Sequence, residues 1–151
     1  FLLRLPLVGK LTRGVNTARF TRTLSILAGS GVPVLDALRI SGDVVGNVPM
    51  REAIEETAVR VREGAPLGRS LGSSRLFPPM TMHLISSGEA SGELENMLER
   101  AADNQEREVD SLVGAMLSIL EPALILFMGV IVLAMVLAIL LPIFQLNQLV
   151  A

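Results

Sequence analysis

PALILFMGVIVLAMVLAILL, residues 122–141, holds twenty consecutive positions without a charge. At ~1.5 Å rise per residue, a helix of that length reaches ~30 Å, the hydrocarbon thickness of a bilayer. The alternative is a helix buried inside a soluble core. A chain of 151 residues is too small to surround so long an all-apolar helix. The stretch predicts one membrane-spanning helix over residues 119–144, with its charge-free centre from Pro122 through Gly129 to Leu141.

Pro122 lacks an N–H, so a local disturbance is expected where the helix enters the apolar stretch. Glu121, just before it, is expected to reach interfacial water. Gly114 with Ser118 and Ala134 with Ala138 form small-xxx-small pairs, a weak signal in an Ala-rich helix. Every Lys and Arg lies at or before Arg107, and the tail QLNQLVA (145–151) has none. The positive-inside rule then places the N-terminal side in the cytoplasm and the tail outside it.

Half of the residues are hydrophobic, yet there are only five Phe, no Tyr and no Trp. Abundant Leu, Ala, Met, Glu and Arg favour helices over strands. The absence of Cys removes disulfides, thiolate chemistry and zinc–cysteine sites. The net charge of −2 hides a split. Residues 1–75 carry eleven of the thirteen basic residues against six acids, whereas residues 76–151 carry two against nine. The two halves either pair within one bundle or present differently charged docking faces. Phe1 is not Met, and FLLRLP is too short for a signal peptide. An internal-to-C-terminal piece of a longer protein is expected.

Between the N-terminus and the span, glycines and prolines punctuate helical patterns. Thr17 to Ala28 places Phe20, Leu24 and Leu27 on one face, and SGVP (30–33) stops it. Val34 to Val45 follows, with Leu35 and Leu38 inward. Gly46-Asn47 breaks the chain before a third helix, which carries Ile54, Ala58 and Val61 and ends at Gly64. A short helix over Leu67–Leu71 and a fifth from Pro79 to about Ala90 come next. Ser91-Gly92 opens a sixth, whose stripe runs from Leu94 through Leu98, Ala101 and Val109 to Leu120, interrupted at Gln105. The expected fold is all-α: an N-terminal elbow (1–15), a six-helix cytoplasmic bundle (16–118), the C-terminal transmembrane helix (119–144) and a short periplasmic tail (145–151).

No P-loop is present, because Arg4 stands where Gly9-Lys10 would need a glycine. GxSxG, HExxH and EF-hand patterns are also missing. His83, the only histidine, has no Cys, Tyr or second His beside it in the pattern, which favours a structural role. Glu99 and Asp103 are spaced i, i+4 and share a helix face. With an oxygen from the Gly46-Asn47 turn they offer ligands for Ca²⁺. A solvated acidic face is the favoured alternative.

The segments ARFTRTLSILAGSGVPVLDALRI (18–40), GAPLGRSL (64–71), LFPPMTMHLISSGEASGELENMLERAADNQEREV (76–109) and EPALILFMGVIVLAMVLAILLPIF (121–144) occur in this order. The series resembles the type II secretion system protein F family, with FPP…SGEASGEL its most specific part. These are inner-membrane platform proteins of secretion systems and type IV pili. LPIFQLNQLV (141–150) looks more like the secretion branch. The resemblance implies a longer chain with two related six-helix cytoplasmic domains and three spans, of which this is the second domain and the last span. PLVGKL (6–11) would form the elbow after the missing second span. It also implies no enzymatic activity and no required cofactor. Implied partners are the assembly ATPase, other inner-membrane components, pseudopilins and further copies of the chain. Calcium is associated with the family's first domain, near the equivalents of Asn47, Glu99 and Asp103.

A non-catalytic secretion scaffold is therefore the leading expectation, with a type IV pilus platform as its rival. A transporter subunit would place ionisable residues within the span, and residues 122–141 have none. A membrane-anchored enzyme would show a cluster of reactive side chains, and no such motif is found. Nothing in the pattern points to nucleic acid.

Overall fold

The computed structural model describes residues 6–150. The expected start of the elbow (1–5) and the last tail residue lie outside them. The described residues form six helices and no strand: α1 (Pro6–Gly29), α2 (Val34–Asp43), α3 (Val48–Arg62), α4 (Leu67–Gly72), α5 (Pro79–Ser91) and α6 (Leu94–Val150). The chain divides into two compact units, Phe1–Leu112 and Val113–Ala151.

Within the first unit, α1 begins eleven residues before the Thr17 start read from the sequence. It runs unbroken through residues 6–15 of the expected elbow. Its early turns lack an apolar stripe because small polar residues make up much of its buried side. Asn16, Thr17, Thr21 and Ser25 are all buried. Asn16 and Thr21 fit there by returning their donors to their own helix, whereas the Thr17 hydroxyl has no partner among the described residues. Thr12 Oγ1 donates to the Val8 carbonyl at 2.8 Å, Asn16 Nδ2 to Thr12 and Thr21 Oγ1 to Thr17, each also at 2.8 Å. Further along, Phe20 and Leu24 enter the core, which also holds Leu38, Met50, Ile54, Leu71 and Ile85. The Phe20 and Phe77 rings meet at 5.6 Å between centroids.

Gly31, Gly64 and Gly92 end α1, α3 and α5 with φ of +78°, +94° and +75°. A side chain there would strain the backbone, so the glycines fix where each helix stops. Asn47 caps α3 by accepting a hydrogen bond from the Met50 N–H at 3.1 Å. Pro33, Pro66 and Pro78 precede α2, α4 and α5, where a fixed φ suits a helix entry.

The part of α6 in the first unit buries Leu98, Ala101, Ala102 and Gln105. Gln105 therefore belongs to the inward stripe rather than interrupting it, and its Oε1 accepts from the Thr81 hydroxyl at 3.4 Å. Here α1 and α6 run side by side in opposite directions. A Cβ on Gly14 would approach Gln105 and Val109, whereas one on Gly29 would approach Glu95.

The second unit is the remainder of α6. Its apolar side chains point outward all round: Leu126 is 72 % exposed and Phe127 63 %. This helix is long and apolar enough to cross a membrane. It continues as a helix through Pro122 and Pro142, where a local disturbance was expected at the first. A proline removes one i→i−4 bond, and the long flanking turns retain the rest.

Candidate functional site

The segment that carries the resemblance has structural duties. Phe77 sits in the core, and Pro79 stands in the first turn of α5. Gly88 packs against the start of α6: a Cβ there would lie 2.7 Å from Met97 Cβ and 3.0 Å from Leu94 Cα. Its carbonyl accepts from the N–H groups of Gly92 and Glu93, closing the helix end. Glu89 reaches across to α4. Its two carboxylate oxygens accept from the Leu67 and Gly68 N–H groups at 2.7 and 3.1 Å. Pro66 supplies no side-chain cap there, so an acid from a neighbouring helix satisfies two free donors.

A charged clamp joins α1 to α6. Arg22 Nε and Nη2 donate to the two Glu106 oxygens at 2.8 Å each, and Nη2 also donates to Asp103 Oδ1 at 2.6 Å. This fork geometry suits guanidinium and carboxylate. The hydrogen bonds from Arg22 hold the Glu106 carboxyl below its ordinary range, against partial desolvation and the repulsion of Asp103. The same pairs, Glu106 first, raise the Arg22 guanidinium, which stays charged at any ordinary pH. Sequence reading passed over Arg22 and Glu106, although the basic and acidic halves signalled that such pairing was available.

The candidate calcium ligands have separate occupations. Asn47 Oδ1 is engaged by Met50, and Asp103 Oδ1 by Arg22. Glu99 is exposed on α6. Among the described residues no group of three or more His, Cys, Asp or Glu is placed to hold a metal. A guanidinium already balances Asp103, so these donors fit a Ca²⁺ cage poorly. His83 is exposed on α5. Pro122, Gly129 and Leu141 all lie on the outward-facing apolar helix of the second unit.

Among the described residues the arrangement braces helices and presents charge and apolar surface. A family model described as type II secretion system (T2SS), protein F matches residues 20–142. The chain belongs to the type II secretion system protein F family. The type II secretion system protein F of Pseudomonas aeruginosa is 53 % identical over 150 residues, covering 99 % of this chain and 37 % of that protein. The protein of the same name from Vibrio cholerae is 49 % identical over 148 residues, with 98 % and 36 % covered. The type IV pilus assembly protein PilC of Thermus thermophilus is 40 % identical over 144 residues, with 95 % and 36 % covered. The chain thus spans little more than a third of the length of these curated relatives. The matched residues of this family member include the Arg22 clamp, the Glu89 cap and the charge-free stretch of α6.

Proposed function

We propose that this chain is part of an inner-membrane platform protein of a bacterial type II secretion system. In this reading residues 16–118 form a cytoplasmic bundle, 119–144 cross the membrane and 145–151 reach the periplasm. The bundle docks the secretion ATPase and inner-membrane components, supports pseudopilin assembly for protein export and works as a homo-oligomer. The platform binds no nucleic acid, catalyses no reaction and needs no cofactor, calcium included.

The observation that carries the reading is the higher identity to secretion proteins than to pilus proteins over nearly the same residues. The internal use of the signature side chains supports a scaffold. Glu89 and Gly88 are consumed in bracing helices, which leaves other charged surface for partners. The outward apolar helix supports the span.

Photocrosslinking of the full-length protein in its native membrane, followed by mass spectrometry, tests the assignment. Secretion ATPase and pseudopilin adducts through bundle residues are expected. Adducts to pilus components alone would move the protein to the pilus branch. ATP turnover by the purified full-length protein would sink the non-catalytic reading. A reporter fused after Ala151 should behave as periplasmic; a cytoplasmic signal would overturn the topology.

A further inference from the structure

A cavity of about 950 Å³ opens on the first unit between the start of α1, the α4–α5 connection and α6. Leu76, Phe77, Met82 and Leu112 give it an apolar lining, and Lys10, Arg13 and Arg75 supply positive charge. None of these three cations has an ion-pair partner among the described residues, whereas Arg22 is clamped by two acids. Lys10 and Arg13 are exposed one turn apart on α1. Arg75 adopts φ of +55°, a left-handed conformation unfavourable for a residue with a side chain and frequent at functional positions.

A second observation comes from the lining. Gln105 is 3 % exposed, and its Oε1 is engaged by Thr81. Its amide nitrogen has no acceptor among the described residues, although it borders the cavity. Unlike the sealed Thr17 and Ser41 hydroxyls, this nitrogen reaches the cavity space, where an entering acceptor oxygen can take its hydrogen bond. Glu108, the one acid in the lining, offers an acceptor of its own.

The ligand that fits must present negative charge, apolar groups, an acceptor for Gln105 and a donor for Glu108. A peptide with acidic and apolar side chains presents all four, its backbone supplying both acceptor and donor. The phosphodiester itself brings acceptors but no donor, and Glu108 repels its charge. The volume suits several residues rather than one side chain. We propose that this cavity is the docking groove for an acidic, apolar-bearing peptide segment of a partner protein. The inference rests on the docking-platform reading and assigns that role to one surface.

The test uses the full-length protein in detergent and a pool of short fluorescein-labelled peptides with glutamate and leucine in shuffled order. Fluorescence anisotropy should show saturable, salt-sensitive binding that a glutamine-for-glutamate pool lacks. Lys10→Gln with Arg13→Gln should weaken it about tenfold, and Glu108→Gln a few-fold. Equal binding of the two pools, or no effect of the paired cation substitutions, overturns the proposal. So does tighter binding after Glu108→Gln, which would mark a site for a bare anion. Saturable binding of short-chain phosphatidylglycerol without peptide binding would make the surface a lipid site and overturn it too. The substituted side chains are exposed, and circular dichroism checks that each variant keeps its helices. The peptides are synthetic, so failure here and failure of the crosslinking experiment are separate results.

Discussion

Phe20 and Phe127 are both helical phenylalanines, yet Phe20 is fully buried and Phe127 is 63 % exposed. The same contrast holds between the two units. In residues 8–112, helices turn apolar stripes onto a shared core and leave charge outside. In residues 113–150, one helix shows apolar side chains on every face. Burying apolar area releases ~25 cal/mol per Å², so the second arrangement is stable only where water is absent. One chain is thus written for two solvents, and each unit has to be tested against its own.

The largest expected effect follows directly. Phe20→Ala removes a ring packed on Phe77 and should cost ~3–5 kcal/mol, as large buried aromatics do. Amide hydrogen exchange in detergent should show protection falling across α1–α3. Phe127→Ala, the matched change in the second unit, should leave that protection unchanged. Equal losses from both would abolish the distinction between the units.

A charge reverses the comparison. Val132→Arg places a cation in the middle of the charge-free stretch and should cost about 3 kcal/mol of membrane insertion. Arginine at exposed Val59 on α3 should cost almost nothing. Carbonate extraction measures the first and thermal unfolding the second. Full membrane retention of Val132→Arg would break the solvent argument for the second unit.

Inside the first unit, smaller effects separate packing from capping. Glu89→Ala frees the Leu67 and Gly68 N–H groups and should cost about 1–2 kcal/mol, read as exchange concentrated in α4. Glu89→Gln should recover part of it, since an amide oxygen still accepts one bond. Uniform loss throughout the bundle would mean that Glu89 supports more than the short helix.

These contrasts also explain what the sequence made legible. The span was readable because solvent sets it: an uninterrupted apolar run needs no knowledge of a partner. The ends of α1, α3 and α5 were readable because Gly31, Gly64 and Gly92 supply a backbone conformation other residues avoid. The first turns of α1 were not, since Thr12 and Asn16 look like loop residues until their donors fold back onto the helix. Gln105 read as a break in a stripe because its partner, Thr81, lies on another helix. Glu89 and Arg22 were missed for the same reason. Local periodicity tells which face turns inward, but a contact 84 positions away depends on how helices pack. The proposed calcium set shows the converse risk: i, i+4 spacing put Glu99 and Asp103 on one helix, but Arg22 takes Asp103.

The smallest effect concerns that clamp and sharpens how the first unit handles charge in water. Arg22, Asp103 and Glu106 are each at least a third exposed, so solvent screens them and the clamp contributes no more than about 1 kcal/mol. Glu106 is lowered from its ordinary 4.5 when folded, so the folded state binds its proton less readily than the unfolded chain does. Its contribution is therefore full above about pH 4.5 and disappears as the pH falls through the lower folded value. Arg22 stays charged across that window, and Asp103, the other acid at the clamp, opposes the shift. Thermal unfolding of the wild type and Glu106→Gln should then differ above pH 5, with the gap narrowing as the pH falls below 4.5 toward the lower folded value. Raised salt should narrow the gap at neutral pH, as for an ion pair open to solvent. A gap that persists unchanged at pH 3 would assign the role of Glu106 to packing of its stem rather than to its charge.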